Sequence, residues 1–371
     1  MAAFDGSVLI LALPAIASDF HAQVPQLTNL GSVLAVGTFG ALPLATLADY
    51  FGRRRLIALG VAGFSTANFA SAFAQSIEAL ALLRLVAVCF ESLVASVATA
   101  LIVEEAPRAR RGQAVSVLAL LSGAGTGITV IVYPVIAPHW RELFLAGGIG
   151  VALALLIWTH LPEGRTWSRV TVTGSALRVL LQPAWRMRLV LMASVSALLA
   201  ALLQPAGLLF TVFASDTLRM GTVAISALII VSGVAGAASY LAGGYLTDRF
   251  GRRALASLLT AGTSVAASLS FVTGTVGFVA GNVIWSAVAS AATPVFGAWS
   301  AELFPTRARA SAEAAKALAW AVGSIAGLQA VGVLSGPFGL GWAIVFMGLA
   351  ALAGSGVVLL LPETRGKPLP D

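Results

Sequence analysis

The chain has 371 residues, 58% of them hydrophobic and 10% charged, with a mean hydropathy of +0.94. A soluble domain carries roughly 25% charged residues, so this chain has too few polar groups to cover a water-facing surface and needs lipid as part of its solvent. The single Cys89 excludes an intramolecular disulfide and a cysteine metal cluster, three histidines with no close pair argue against a His-based metal site, and no cofactor is implied. The net charge of +7 sits in short segments between apolar runs, which reads as membrane topology and not as nucleic-acid binding.

A span needs about 20 mostly apolar residues. Runs of that kind predict an all-α membrane protein with twelve transmembrane helices, at 1–17, 27–48, 56–74, 77–103, 113–136, 143–161, 189–213, 222–246, 254–273, 276–299, 311–334 and 340–361. The chain begins inside the first run, so the first helix is expected to be truncated by a turn or two. That run carries Asp5, nine residues before Pro14, and the fourth carries Arg84 and Glu91. An ionisable side chain within a span is costly and is a functional candidate by default. Seven residues apart on a helix, Arg84 and Glu91 share a face. A buried arginine requires a partner, and Asp5 is the best candidate, so the three could surround one cavity. The alternatives are that Asp5 caps its helix towards water, that Arg84 snorkels to the outer surface, and that Glu91 is only a counter-ion within its own helix.

In the fifth run, Ser122-Gly123-Ala-Gly125-Thr126-Gly127 places small residues at 123 and 127, a spacing suited to close helix packing. Arg141 and Glu142 read as interface charges. Residues 162–188, with five arginines, form a central loop between an N-terminal bundle (1–161) and a C-terminal bundle (189–361), and 362–371 form a tail. Gln204-Pro205-Ala-Gly207 sits mid-span in the seventh run, either as a solute contact or as a bend. Asn282 and Trp285 in the tenth are candidate lining residues, Trp299 reads more readily as an interfacial anchor, and Glu313 and Lys316 as a helix-end pair.

Alternate loops are basic. They hold Arg53, Arg54 and Arg55, then Arg108, Arg110 and Arg111, then the central arginines, then Arg249, Arg252 and Arg253, Arg307 and Arg309, and Arg365 with Lys367; the opposite loops hold only Arg141 and Arg219. Positive loops face the cytoplasm, so both termini are expected there, in a bacterial inner membrane. Three segments also recur in order. Asp49-Tyr-Phe-Gly52-Arg53-Arg54 matches Asp248-Arg249-Phe-Gly251-Arg252-Arg253; Glu104-Glu-Ala-Pro107 with Arg111 matches Glu302-Leu-Phe-Pro305 with Arg309; Leu161-Pro162-Glu163-Gly-Arg165 matches Leu361-Pro362-Glu363-Thr-Arg365. The near-constant offset indicates a duplicated six-helix unit. Parallel repeats of this kind place a solute site near the midplane between them.

These motifs resemble the major facilitator superfamily over essentially the whole length. Within it, Glu302-Leu-Phe-Pro305-Thr-Arg307 and Pro362-Glu363-Thr-Arg365-Gly366 resemble the clan of sugar porters, aromatic-acid/proton symporters and organic-ion transporters. The first loop copy departs from the pattern at Ala45 and Tyr50, and Val88 and Phe90 stand where sugar porters carry small glycines. The resemblance implies that the acid–base motifs form a cytoplasmic latch, that Asp5 takes part in proton coupling, and that Arg84 pairs with it. The lone Gln204 argues against a hexose specialist. The implied function is alternating-access transport of a small polar organic solute, a carboxylic or aromatic acid or a sugar-like molecule, by proton symport and as a monomer. The alternative is a proton-coupled efflux antiporter, which the missing Gly-Pro motif in the fifth span disfavours. A non-transporting sensor or an enzyme has no support, since no nucleophile–base arrangement occurs.

Overall fold

The computed structural model describes residues 2–46, 52–105, 125–134, 139–161, 179–305 and 308–365. All regular structure among them is helical. The chain divides into two compact units, Met1–Thr171 and Val172–Asp371.

The first unit contains α1 (Ala2–Asp19), α2 (Val24–Thr46), α3 (Arg53–Ser71), α4 (Ile77–Glu105), α5 (Gly125–Pro134), α6 (Trp140–Ala146) and α7 (Ile149–His160). Its core forms where α3 meets α4 and α7, with Phe64, Ala87, Leu93 and Val97 buried. Gly147 and Gly148 join α6 to α7 in helical conformation, and a side chain at either would meet Asn68 or Phe69 of α3 within 3 Å. The second unit contains α8 (Pro183–Val212), a π-helical turn (Phe213–Thr217), α9 (Thr222–Phe250), α10 (Arg252–Ser270), α11 (Gly274–Leu303) and α12 (Arg309–Leu359). In it α8 packs on α12, α9 on α11, and α10 on both α11 and α12.

Among the described residues, six helical stretches are long and apolar enough to cross a membrane: Ile77–Ala98, Trp140–His160, Pro183–Thr217, Thr222–Thr247, Gly274–Ser300 and Ser311–Leu359. The last, at 49 residues, has room for two crossings of about 20 residues each. It changes direction at Gly339 (φ +78°), close to where the sequence predicts a break between runs ending at 334 and starting at 340. Two shorter apolar helices, Gly6–Asp19 and Gly125–Pro134, fall in the first and fifth predicted runs.

The approach of α8 to α12 uses glycine. A Cβ on Gly323 or Gly327 of α12 would lie 2.1 Å from the carbonyl oxygen of Ala197 or Ala201 on α8. Small residues one turn apart let two backbones touch, where lipid provides no hydrophobic drive for association. Pro205 has no N–H to offer the Ala201 carbonyl four residues back, so the α12 backbone packs where α8 has a spare acceptor.

One boundary differs from the expectation. The helix α8 begins at Pro183, a residue suited to the first helical position, so Arg186 and Arg188 are helical and not part of a central loop. There Arg188 stacks 4.8 Å from the Trp185 ring and donates to the Leu303 carbonyl at 3.3 Å. The helix also runs through Pro205 and Gly207 without interruption, and its winding changes only at the π turn. At Gly127 a side chain would meet nothing within 4 Å among the described residues, and Gly123, the other half of the expected packing pair, lies outside them.

Candidate functional site

Arg84 is 1% exposed and lies in the first part of α4. Its guanidinium donates Nη1–H to the Asn68 amide oxygen on α3 and stands 5.4 Å from the Phe144 ring centre on α6. It therefore does not snorkel to a surface. An amide oxygen and an aromatic face both favour a cation, so these two contacts help hold the charge inside the unit. Neither Asn68 nor Phe144 was marked by the sequence reading. Asn68 carries a signal, because it is an amide within a predicted span and a buried arginine demands an acceptor.

Two helical turns further along α4, Glu91 is half-buried, and its Oε1 lies 3.9 Å from the position a Cβ on Gly6 would occupy. The carboxylate thus faces α1 beside the residue that follows Asp5. The backbone of Asp5 is helical within α1, and its side chain lies outside the described residues. One residue further, the Ser7 hydroxyl donates to Thr129 Oγ1 of α5 at 2.9 Å. The structure so brings Glu91, Ser7 and Thr129 together around the start of α1.

At the far end of α1, Arg141 forms an ion pair with Asp19, donates to the Ala74 carbonyl at 3.0 Å, and stacks 4.3 Å from the Trp140 ring. Arg141, read from the sequence as an interface charge, thereby ties three helix ends together.

The Arg-rich end of the second unit is where its repeated motifs meet. Gly251 takes a left-handed φ of +88°, which an L side chain rarely adopts, and delivers the chain into α10. The first amides of α10 have no acceptor within the helix. Glu363 supplies one from the far end of the unit, accepting from the backbone N–H of Arg252 at 3.1 Å and of Arg253 at 3.0 Å, with Thr364 and Arg365 donating at 3.0 Å each. Burial alone would raise the Glu363 pKa, but these four donors outweigh it and hold the carboxyl below its usual range. The side chain of Arg252 turns to Glu302, with contacts of 2.9 and 3.1 Å, and to the Thr247 carbonyl at 3.0 Å. Thr364 donates to the same Glu302 carboxylate. Arg309 donates to the Phe304 carbonyl at 3.2 Å. Arg249 is exposed and stacks on Phe250. Trp299 is fully buried and donates to the Pro362 carbonyl at 3.2 Å, so it is not an interfacial anchor.

In the first copy of these motifs, Gly52 has the matching φ of +86° and α3 starts at Arg53, as α10 starts at Arg252. Asp49 and Arg111 lie outside the described residues. The side chains of Arg53, Glu104 and Asp248 do too, although their backbones are helical.

Three further candidates are located. Asn282 is buried, and its amide oxygen accepts from Ser232 of α9 at 2.8 Å; one turn on, Ser286 donates to the Ser232 carbonyl at 3.0 Å. Trp285 is half-buried and Gln204 exposed. Lys316 pairs with Glu313 at 3.0 Å, the helix-end pair its spacing predicts.

Long apolar helices, a geometry repeated at Gly52 and Gly251, and ionisable groups inside the apolar stretches define a multi-pass membrane transporter. The sequence profile described as Major Facilitator Superfamily matches residues 1–243 and 206–371, and the chain belongs to that family. It is accordingly an integral membrane transporter and not an enzyme. It is similar to a probable 4-methylmuconolactone transporter of Cupriavidus pinatubonensis, at 26% identity over 98% of this chain and 88% of that protein. It is also similar to a gallate transporter of Pseudomonas putida, at 30% identity over 43% of this chain, a match that spans only 36% of that relative's length. A crystal structure of a bacterial homologue of the human lysosomal transporter Spinster superposes with a TM-score of 0.80 at 16% identity, over 97% of this chain and 93% of that one.

Proposed function

We propose that this protein carries a small organic acid across a bacterial inner membrane by proton symport. It acts as a monomer of twelve spans with both termini in the cytoplasm, and its two halves expose the solute alternately to either side. The observation that carries the reading is the charge pair on one face of α4: Arg84 held buried by an amide and a ring, and Glu91 facing α1 two turns away. A fixed buried cation attracts a carboxylate, and a half-buried carboxyl beside a closing helix can take up and release a proton as its surroundings change. Asp5, one residue from Gly6, is the second proton carrier in this scheme. The relatives named for gallate and 4-methylmuconolactone support an acidic or ring-bearing solute. The contact of Glu363, Glu302 and Arg252 is a latch that holds the Arg-rich end of the second unit together and loosens during the cycle.

Proteoliposomes without a pH gradient test the reading. Adding gallate or benzoate at matched pH should turn the outside medium alkaline as solute and proton enter together. Glu91→Gln and Asp5→Asn should each abolish that signal while leaving exchange of labelled solute across the bilayer. Acidification would identify an antiporter, and flux without any pH change would remove proton coupling.

A further inference from the structure

Every residue of α1 from Val8 to Ala17 is apolar, and Val8, Leu9, Leu11, Ala12, Leu13 and Ile16 are each at most 2% exposed. Apolar side chains of similar size pack almost as well after a helix rotates or slips along its axis, whereas a polar contact is satisfied in one arrangement only. The register of α1 therefore has to come from its polar contacts. It matters because the start of α1 brings Gly6 against Glu91 of α4 and Ser7 against Thr129 of α5. A shift by one residue turns a helix by about 100°, which would take both away.

At the opposite end of α1, about 21 Å from Asp5 along the helix, the polar contacts converge on α6. The Asp19 carboxylate accepts from the Arg141 guanidinium and, at 3.3 Å, from the indole N–H of Trp140. Phe20 meets the Trp140 ring edge-on with centroids 5.8 Å apart, and Arg141 also reaches the Ala74 carbonyl at 3.0 Å. The side chains of Asp19 and Arg141 are 42% and 40% exposed, so solvent screens the pair and it adds little stability. Its geometry is nevertheless selective, since carboxylate, indole and ring fit together in one register. The same short helix also holds α4: Trp140 meets Phe144 edge-on at 5.8 Å, and Phe144 stands over Arg84. Thus α6 is a common reference for α1 and α4, the two helices that carry Gly6 and Glu91.

We infer that Asp19 and Arg141 are positioning residues: with Trp140 they lock the register of α1 on α6 and so set Asp5, Gly6 and Ser7 opposite Glu91 and Thr129, at the far end of the same helix. The consequence for transport rests on the proton carriers proposed above. The lock itself stands on the contacts of the first unit alone.

Disulfide cross-linking at the start of α1 tests it, because a purely local contact at Asp19 would not move that end. The parent for the test is the full chain carrying Cys89→Ser, which removes its single cysteine, and Ser7→Cys/Thr129→Cys, whose native hydroxyls lie 2.9 Å apart. Purified in detergent and treated with copper–phenanthroline, it should cross-link readily. Adding Asp19→Asn or Arg141→Gln should slow cross-linking at least roughly five-fold, and the exchanged pair Asp19→Arg/Arg141→Asp should recover at least about half of the parent rate. If neither neutral variant folds, Arg141→Lys replaces them. It keeps the charge but cannot hold Asp19 and the Ala74 carbonyl with one planar fork, so its cross-linking should be at least roughly two-fold slower than the parent's. No cross-linking in the folded parent, or a parent-like rate in the folded neutral variants or in Arg141→Lys, would overturn the inference. The readout involves neither solute nor proton flux, so failure of the proposed coupling would leave it standing.

Discussion

At Arg84 one side chain combines a cost and its remedy. A guanidinium at 1% exposure is tolerable only while its N–H groups find acceptors and its charge finds polarisable surroundings. Asn68 provides the first and Phe144 the second. Asn68→Leu is therefore expected to destabilise the protein by about 1.5–3 kcal/mol, the range for a hydrogen bond to a charged group, read as a lower unfolding temperature in detergent. Phe144→Leu, which keeps an apolar wall and removes the ring, should cost less. Glu363 works in the opposite sense, as a carboxylate stabilised by donors. Its folded pKa lies below the ordinary 4.5, so its contribution is complete above pH 4.5 and disappears as the pH falls through the lowered folded value. Amide exchange at Arg252 and Arg253 should accelerate in that acidic window after correction for intrinsic rates. In Glu363→Gln it should be fast already at neutral pH and lose its dependence on pH there.

At the scale of the helix, glycine positions separate those that make contacts from those that do not. Gly327→Val would drive a side chain into the Ala201 carbonyl, 2.1 Å from the new Cβ, and should cost about 1–3 kcal/mol or prevent assembly of α8 with α12. At Gly356 nothing lies within 4 Å, so Gly356→Ala should be neutral or stabilising by up to about 1 kcal/mol through helix propensity. Thermal unfolding of the two variants side by side checks both. Helix positions were largely legible in the sequence, because a run of about 20 apolar residues has few other uses. At the Pro183 start of α8, polarity hides a helix that extends past its apolar part, and spacing alone does not show which glycines touch a neighbour. The partners were less legible still. Asn68 looks like an ordinary polar residue until the neighbouring helices are in place, and the match between Glu363 and the start of α10 joins residues 111 positions apart.

At the scale of the molecule, the duplication was visible as recurring motifs and reappears as matched backbone geometry at Gly52 and Gly251, with α3 and α10 each starting one residue later. Family membership and the transporter class rest on the profile match over residues 1–243 and 206–371. The proposed solute and coupling rest on a few side chains, and Glu91 is the one most directly tested. The decisive measurement is the external pH of proteoliposomes, without a starting gradient, on addition of gallate. The account predicts alkalinisation with the native chain and none with Glu91→Gln, while labelled gallate still exchanges in both; alkalinisation that persists unchanged in Glu91→Gln, or entry of gallate into native vesicles with no pH change, would contradict it.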